Sequence, residues 1–471
     1  MPRRLQEFGF VGCNHNRDPS GGHRKEPPLT DERWYARYEK MVELELPPMV
    51  HVNACNAIFQ PAGSYDLNAD TTAFMQFLTP HLFHHFATSG VGLRRTWSGK
   101  AMLAGRTRDF GAHRMPHARG GAAMHVGLFV EEIRQGATQA TAFRDIFELA
   151  ERAEALGIDC VWLGEIHFTP QRSVISSSLQ VASAIATRTR RLHVGTAVQV
   201  LPLNHPLRIA EEVATVDQIS EGRFEYGIGR SGSVRTYDVF GIPYGESQAR
   251  FLEALQIIRQ AWKGEPFSYE GRFYRIENAT VVPRPYQVPH PPIRMATTSE
   301  ETFPAAGRLG LQIFVGLRTT EIPDLRAQLA SYRQAWEEAG HPGAPSAYLR
   351  IPVYASTTAR GALEEPRESL TSFFVRQTEL ARAAVGRAGA GPADRRRMEA
   401  ERMASLSYED MLAKKVVFGT AAGIIDRLRR LREELRLDGV VAELNPGGLI
   451  PPELEARSFE IIGREVVPAL R

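Results

Sequence analysis

From Met124 to the end of the chain, short apolar runs alternate strictly with segments of helical period. His125–Val130 reads as an apolar strand. Phe143, Ile146, Phe147, Leu149, Ala150 and Ala153 then recur at the spacing of one helix face, and Gly157 stops that helix. The pattern continues with strands over 160–163, 192–200 and 224–228, separated by helices over 174–186, 207–219 and 250–262. Pro206 stands where the third helix begins and Gly222 follows its end. In the second half, strands over 293–296, 312–315, 348–354 and 439–444 alternate with helices over 302–309, 325–339, 421–435 and from Pro452, with Thr420 as an N-cap. Two stretches break the rhythm. Residues 264–292 are rich in Pro, Tyr and Arg and form an excursion, and residues 359–413 are polar, Arg-rich and mostly helical by propensity. Strand and helix in alternation imply parallel strands with helical crossovers. Eight of each predict an α/β chain folded as a (β/α)8 TIM barrel with insertions, its chemistry at the carboxyl ends of the strands. A doubly wound open sheet is the alternative, but no Gly-x-Gly-x-x-Gly follows the first strand.

The first 123 residues lack this pattern. They hold eight of the fourteen histidines and carry 15 Lys or Arg against 11 Asp or Glu, whereas the rest of the chain has 42 against 43. The whole positive excess therefore lies in the first quarter. Beyond a helix around Asp31–Leu46 and short apolar pieces such as 47–52 and 74–86, it shows little sustained period. The expectation is a poorly ordered N-terminal extension over 1–123, or translated upstream sequence with the native start at Met124, before a barrel over 124–471. A net charge of +3 with no basic tract gives no sign of nucleic-acid binding. Cys13, Cys55 and Cys160 are far apart and lack Cys-x-x-Cys spacing, which fits a reducing, cytoplasmic setting. No apolar run approaches the roughly 20 residues of a membrane span, so no membrane association is expected.

The strand ends are where candidate residues must be sought. Glu165 and His167 close the second strand two residues apart, so they point to one side, as an acid and a proton carrier in one pocket would. Gly195-Thr196-Ala197-Val198 closes the third with small residues that let a flat ligand approach the backbone. Gly227-Ile228-Gly229-Arg230-Ser231-Gly232-Ser233 closes the fourth, offering a guanidinium, hydroxyls and free amides suited to a phosphate. Thr297, Thr298 and Ser299 follow the fifth at a helix start, where unpaired N–H groups favour an anion, although Ser299 as a simple N-cap accounts for the same residues. Two anion-suited strand ends in one barrel together favour a phosphorylated ligand. Phe168, Tyr237, Phe240 and the stretch at Asn445-Pro446-Gly447-Gly448 are candidate pocket walls.

Three longer stretches carry a family likeness: residues 159–168, 200–211 and 217–230, together with Pro289-His290-Pro291-Pro292 and the closing Glu465-Val466-Val467-Pro468. They closely resemble the bacterial luciferase-like flavin monooxygenase family, and the likeness covers about residues 124–471. The resemblance implies a (β/α)8 barrel that binds FMN, usually as reduced FMN delivered by a separate flavin reductase, and that forms a homodimer. It implies an enzyme that uses reduced FMN and dioxygen to oxygenate a small organic substrate through a flavin hydroperoxide. In reaction-class terms this is an oxidoreductase acting on paired donors with incorporation of molecular oxygen. By position, Thr196 and Ala197 match the strand end, often with a non-prolyl cis peptide, that supports the isoalloxazine ring. Arg230 and the backbone at Gly232 match the phosphate grip, completed by Thr297, Thr298 and Ser299. Glu165 matches the acid opening the family's Glu-His-His motif, and His167 its second histidine. Ile166 departs from the motif, and an isoleucine cannot move a proton. Three alternatives stay open: a deazaflavin coenzyme used for hydride transfer, a non-catalytic flavin-binding protein, and a metal-dependent hydrolase built on Glu165 and His167, although no metal site is expected.

Overall fold

A computed structural model describes residues 123–471 except 132, 135 and 387–392, together with two short strands in the first quarter. Those strands, Cys13–Asn16 and Pro48–His51, pair in parallel. The expected helix at Asp31–Leu46 and the first-quarter histidines lie outside the described residues, and the junction expected at 123–124 lies at their edge. The chain divides into two compact units, Met1–Phe110 and Gly111–Arg471.

The second unit contains the barrel. Its strands are β1 (His125–Val130), β2 (Cys160–Leu163), β3 (His193–Thr196), β4 (Phe224–Gly229), β5 (Ile293–Ala296), β6 (Gln312–Gly316), β7 (Ala347–Ala355) and β8 (Gly439–Glu443). Every neighbour is parallel, and β8 pairs with β1, so the sheet closes on itself. All six residues of β4 and all five of β8 are buried, because helices cover the outside of the barrel and side chains fill its interior. Inside, Trp162, Phe314, Tyr348, Cys160 and Val441 form one cluster, with Trp162 edge-on to Phe314 at 4.9 Å between ring centroids. The crossover helices begin where the chain supplies a cap. Thr138 accepts from the Thr141 N–H before helix Gln139–Ala155, and Thr420 accepts from Gly423 before Ala421–Leu435.

Three segments differ from the sequence expectation. The strand expected over 192–200 is interrupted: β3 stops at Thr196, the Ala197–Val198 peptide is cis, and pairing resumes with Gln199 and Val200 against the end of β4. The excursion contains an antiparallel hairpin, Phe267–Glu270 with Arg275–Ala279, whose residues are mostly exposed and so leave no buried periodicity to read. The Arg-rich insertion resolves into the helices Ala359–Glu364, Arg367–Ala383, Ala393–Ala404 and Tyr408–Lys414. It carries its own small core of Leu370, Phe373, Phe374, Tyr408, Met411 and Val416, and returns through strand Val417–Gly419 beside β7. Among the described residues, no helix is long and apolar enough to cross a membrane.

Candidate active site

Glu165 and His167 follow β2 and meet directly. Glu165 is buried; its Oε1 lies 2.8 Å from His167 Nε2, and its Oε2 accepts the Val200 N–H at 3.1 Å. Burial pushes the Glu165 carboxyl up, while the His167 contact and the Val200 N–H pull it the other way. The carboxylate thus ties His167 to the segment that resumes after the cis peptide. The neighbouring Ile166 uses its backbone N–H on Ile175 O and brings no proton-carrying group. His167 packs edge-on to Phe240 at 5.2 Å, and Phe168, with φ at 57°, lies 5.3 Å from Phe240. Both phenylalanines are more than 40% exposed, so they form an apolar wall beside the histidine.

The raised Glu165 carboxyl has a consequence for pH. Because the folded state holds this proton more tightly than the unfolded chain, its contribution is greatest below the ordinary value of 4.5 and is lost as pH rises through the raised one. Glu165→Gln keeps an acceptor for Val200 and removes the titration. Thermal unfolding between about pH 4 and pH 8 should show the midpoint of the variant gaining on the wild type as pH rises. A difference independent of pH would contradict this.

The other predicted residues divide into those that brace the barrel and those that face outward. Thr196 is fully buried: its hydroxyl donates to Gly227 O at 2.7 Å and accepts from Gly227 N at 3.1 Å, locking β3 to β4 just before Ala197. Thr297 is likewise buried, and its hydroxyl donates to Phe314 O at 2.9 Å. These hydroxyls therefore position strand ends first. Arg230 makes one side-chain hydrogen bond, from Nη1 to Ser247 Oγ at 3.2 Å, which leaves most of its donors uncommitted. Ser231 has a φ of 61°, and a Cβ placed on Gly232 would meet nothing within 4 Å, so the loop presents open backbone. Thr298 is exposed and Ser299 half-buried. Ser299 does not cap the following helix; Thr302 instead folds back onto its carbonyl. Since β4 pairs with β5, the Arg230–Gly232 and Thr298–Ser299 loops leave adjacent strands.

Two candidate wall residues are placed otherwise. Tyr237 is fully buried with its hydroxyl on Arg230 O, so it supports the Arg230 loop from behind. Asn445 spends its amide on Ile450 and Glu455, pinning the loop after β8. Among the described residues no three His, Cys, Asp or Glu side chains gather as metal ligands.

Sequence reasoning missed a group of charges at the same end of the barrel. A cleft opens over β5 to β8, lined by Thr297, Thr298, Arg318, Arg350, Lys415 and Glu443 among others. Arg350 projects from β7, stacks over the Phe129 ring at 3.4 Å, and pairs with Glu443 at 2.6 Å and Glu131 at 3.6 Å. Glu131 also pairs with Arg172. The available signals were a charged residue inside the apolar run 348–354 and Arg318 two residues past β6.

A model of the luciferase-like monooxygenase family matches residues 124–438, the span that carries strands β1 to β7 and both loops. The chain belongs to that family. Among curated relatives of this luciferase-like chain is the oxygenase component of flavin-dependent trigonelline monooxygenase from Acinetobacter baylyi (strain ATCC 33305 / BD413 / ADP1), 26% identical over 74% of this chain and 95% of the relative. A further similarity is short: 89 residues, 19% of this chain and 26% of the relative, are 55% identical to 2-keto-4-carboxy-3-hexenedioate hydratase of Sphingobium sp. (strain NBRC 103272 / SYK-6). The chain spans about half the length, or less, of the first curated relatives it matches. Of solved structures, monooxygenase RslO1 from Streptomyces bottropensis superposes with a TM-score of 0.61 at 25% identity, over 74% of this chain and 100% of that one. An F420-dependent secondary alcohol dehydrogenase shares the fold, with a TM-score of 0.59 at 18% identity, over 74% and 99%. By their descriptions these relatives and neighbours include a flavin-dependent monooxygenase, a monooxygenase solved with FMN and an F420-dependent dehydrogenase, to which this luciferase-like chain is similar in sequence or in fold.

Proposed function

We propose that the barrel is an FMN-dependent monooxygenase that takes reduced FMN from a separate reductase and oxygenates a small organic substrate, acting in the cytoplasm as a homodimer. The observation that carries this reading is the pair of loops on adjacent strands, Arg230–Gly232 after β4 and Thr298–Ser299 after β5. A guanidinium with uncommitted donors, open backbone and hydroxyls form a donor set matched to a phosphate monoester, so these residues fit the FMN tail. Thr196, bonded twice to Gly227, fixes the end of β3, where Ala197 and the cis peptide offer small side chains and main chain to a flat ring. When bound and reduced, the flavin supplies the two electrons with which dioxygen gives one atom to the substrate and one to water.

The chain's own groups position reactants and exclude water. Phe168 and Phe240 cover the approach beside His167, and the insertion helix Arg367–Ala383 brings Phe373 and Phe374 to the cleft. Glu165 is a positioning residue that holds the His167 ring. His167 takes the place that Ile166 vacates in the family motif: it holds or releases a proton at its ring nitrogens beside the reacting groups. Dioxygen uptake that requires both reduced FMN and the full chain tests the reading, whereas hydride transfer without oxygen uptake would contradict it.

A further inference from the structure

Two tyrosine hydroxyls hold the loop that follows β4 from its buried side. Tyr237 donates to the Arg230 carbonyl, and Tyr244 donates to the Ser231 carbonyl at 3.2 Å. Both rings are buried, meet edge-on with centroids 4.9 Å apart, and share one apolar cluster with Val200, Leu203 and Val234. Burial pushes the Tyr237 phenol up, so it stays protonated and keeps donating. Three residues past Tyr244, the buried hydroxyl of Ser247 accepts from Arg230 Nη1 at 3.2 Å. The same short stretch of chain therefore grips both the main chain of the loop and its guanidinium.

In a trans peptide the N–H points opposite to the C=O of the same plane, and neither peptide of this loop is cis. Turning the Arg230 carbonyl onto Tyr237 therefore turns the Ser231 N–H away from the buried side. Turning the Ser231 carbonyl onto Tyr244 does the same to the Gly232 N–H. Neither amide makes a hydrogen bond among the described residues, whereas the next one, Ser233, is spent on Ser231 Oγ at 3.1 Å. Ser231, at a φ of 61°, adopts the left-handed conformation at which successive N–H groups converge on an anion. We propose that Tyr237 and Tyr244 are positioning residues for the FMN phosphate: they aim the Ser231 and Gly232 amides at it beside Arg230, so that the grip is formed before the ligand arrives. The identity of the ligand rests on the monooxygenase reading. Donors already aimed bind an anion more tightly than donors that binding must first order. Removing either hydroxyl leaves a carbonyl facing an apolar cluster without a donor, and the peptide then gains by turning that carbonyl outward, where the phosphate needs an N–H.

The test uses the full chain with FMN and riboflavin, their affinities measured by calorimetry in the wild type, Tyr237→Phe, Tyr244→Phe and Tyr332→Phe. Phenylalanine keeps each ring and its packing and removes only the hydroxyl. Tyr332 is the matched control: it is equally buried, and its hydroxyl donates to Leu311 O at 3.0 Å, at the amino end of β6. Tyr237→Phe and Tyr244→Phe should each weaken FMN by about three- to tenfold and leave riboflavin within about twofold of the wild type. Tyr332→Phe should lower the thermal midpoint without changing the ratio of FMN to riboflavin affinity. Midpoints recorded for all variants separate loss of ligand from loss of fold. Parallel weakening of FMN and riboflavin, unchanged FMN affinity in either loop variant, or the same change of ratio in Tyr332→Phe would overturn the proposal. If the chain binds no FMN but binds a deazaflavin coenzyme, and the two loop variants weaken that coenzyme and spare its phosphate-free core, the proposal is retained and the monooxygenase reading is refuted. A chain that binds neither coenzyme refutes both.

Discussion

Gly227→Val is expected to prevent the barrel from closing. Gly227 lies within β4, and a Cβ there would stand 1.8 Å from the Thr196 carbonyl oxygen and 2.9 Å from the Phe314 ring. The first contact is with backbone, which cannot rotate away. Relief therefore requires β3 and β4 to separate, breaking both hydrogen bonds between Thr196 and Gly227. Overpacking of a buried site commonly costs about 1–3 kcal/mol. With two barrel bonds lost and two more methyl groups to place, the cost here should exceed about 3 kcal/mol. The expected result is insoluble protein, or a cooperative unfolding transition shifted strongly to lower temperature. An unchanged transition would show that the close approach of β3 and β4 is wrong.

Arg230→Ala should act on the ligand and leave the fold intact. Its side chain makes one hydrogen bond, to Ser247 at 3.2 Å, and lies at the half-exposed end of β4, so truncation should change stability by about 1 kcal/mol or less. Losing a charge-assisted contact to a phosphate should weaken FMN binding by roughly ten- to a hundredfold. Riboflavin, which lacks the phosphate, should bind wild type and variant equally. If Arg230→Ala weakens riboflavin as much as FMN, Arg230 does not hold the phosphate.

The barrel was legible because its strands are short buried apolar runs and its helices are punctuated by residues with one clear job. Cys160–Leu163, Ile293–Ala296 and the Thr420 cap fall where the sequence puts them. The break in β3 was not legible from local pattern, since Ala197 and Val198 read like any apolar strand pair; the family resemblance alone pointed to a cis peptide at this strand end. The hairpin at 267–279 lay hidden because few of its residues are buried, so neither period of 2 nor of 3.6 is enforced. At the site, Glu165 and His167 are near neighbours in sequence, and a strand end brings both to one side. The roles of Thr196 and Thr297 depend on a carbonyl of the next strand, which no local motif reveals. The arginine cluster is the extreme case, assembled from the β2 loop, the chain just past β6, the body of β7 and an insertion helix.

An anaerobic titration of the full chain with reduced FMN and, separately, with a reduced deazaflavin coenzyme, followed by admission of dioxygen while its consumption is recorded, separates oxygenation from hydride transfer. The FMN reading predicts that reduced FMN binds more tightly than the deazaflavin and that dioxygen is consumed in proportion to bound flavin. Tight deazaflavin binding with no affinity for reduced FMN, and no dioxygen uptake, would contradict it and assign the barrel to hydride transfer.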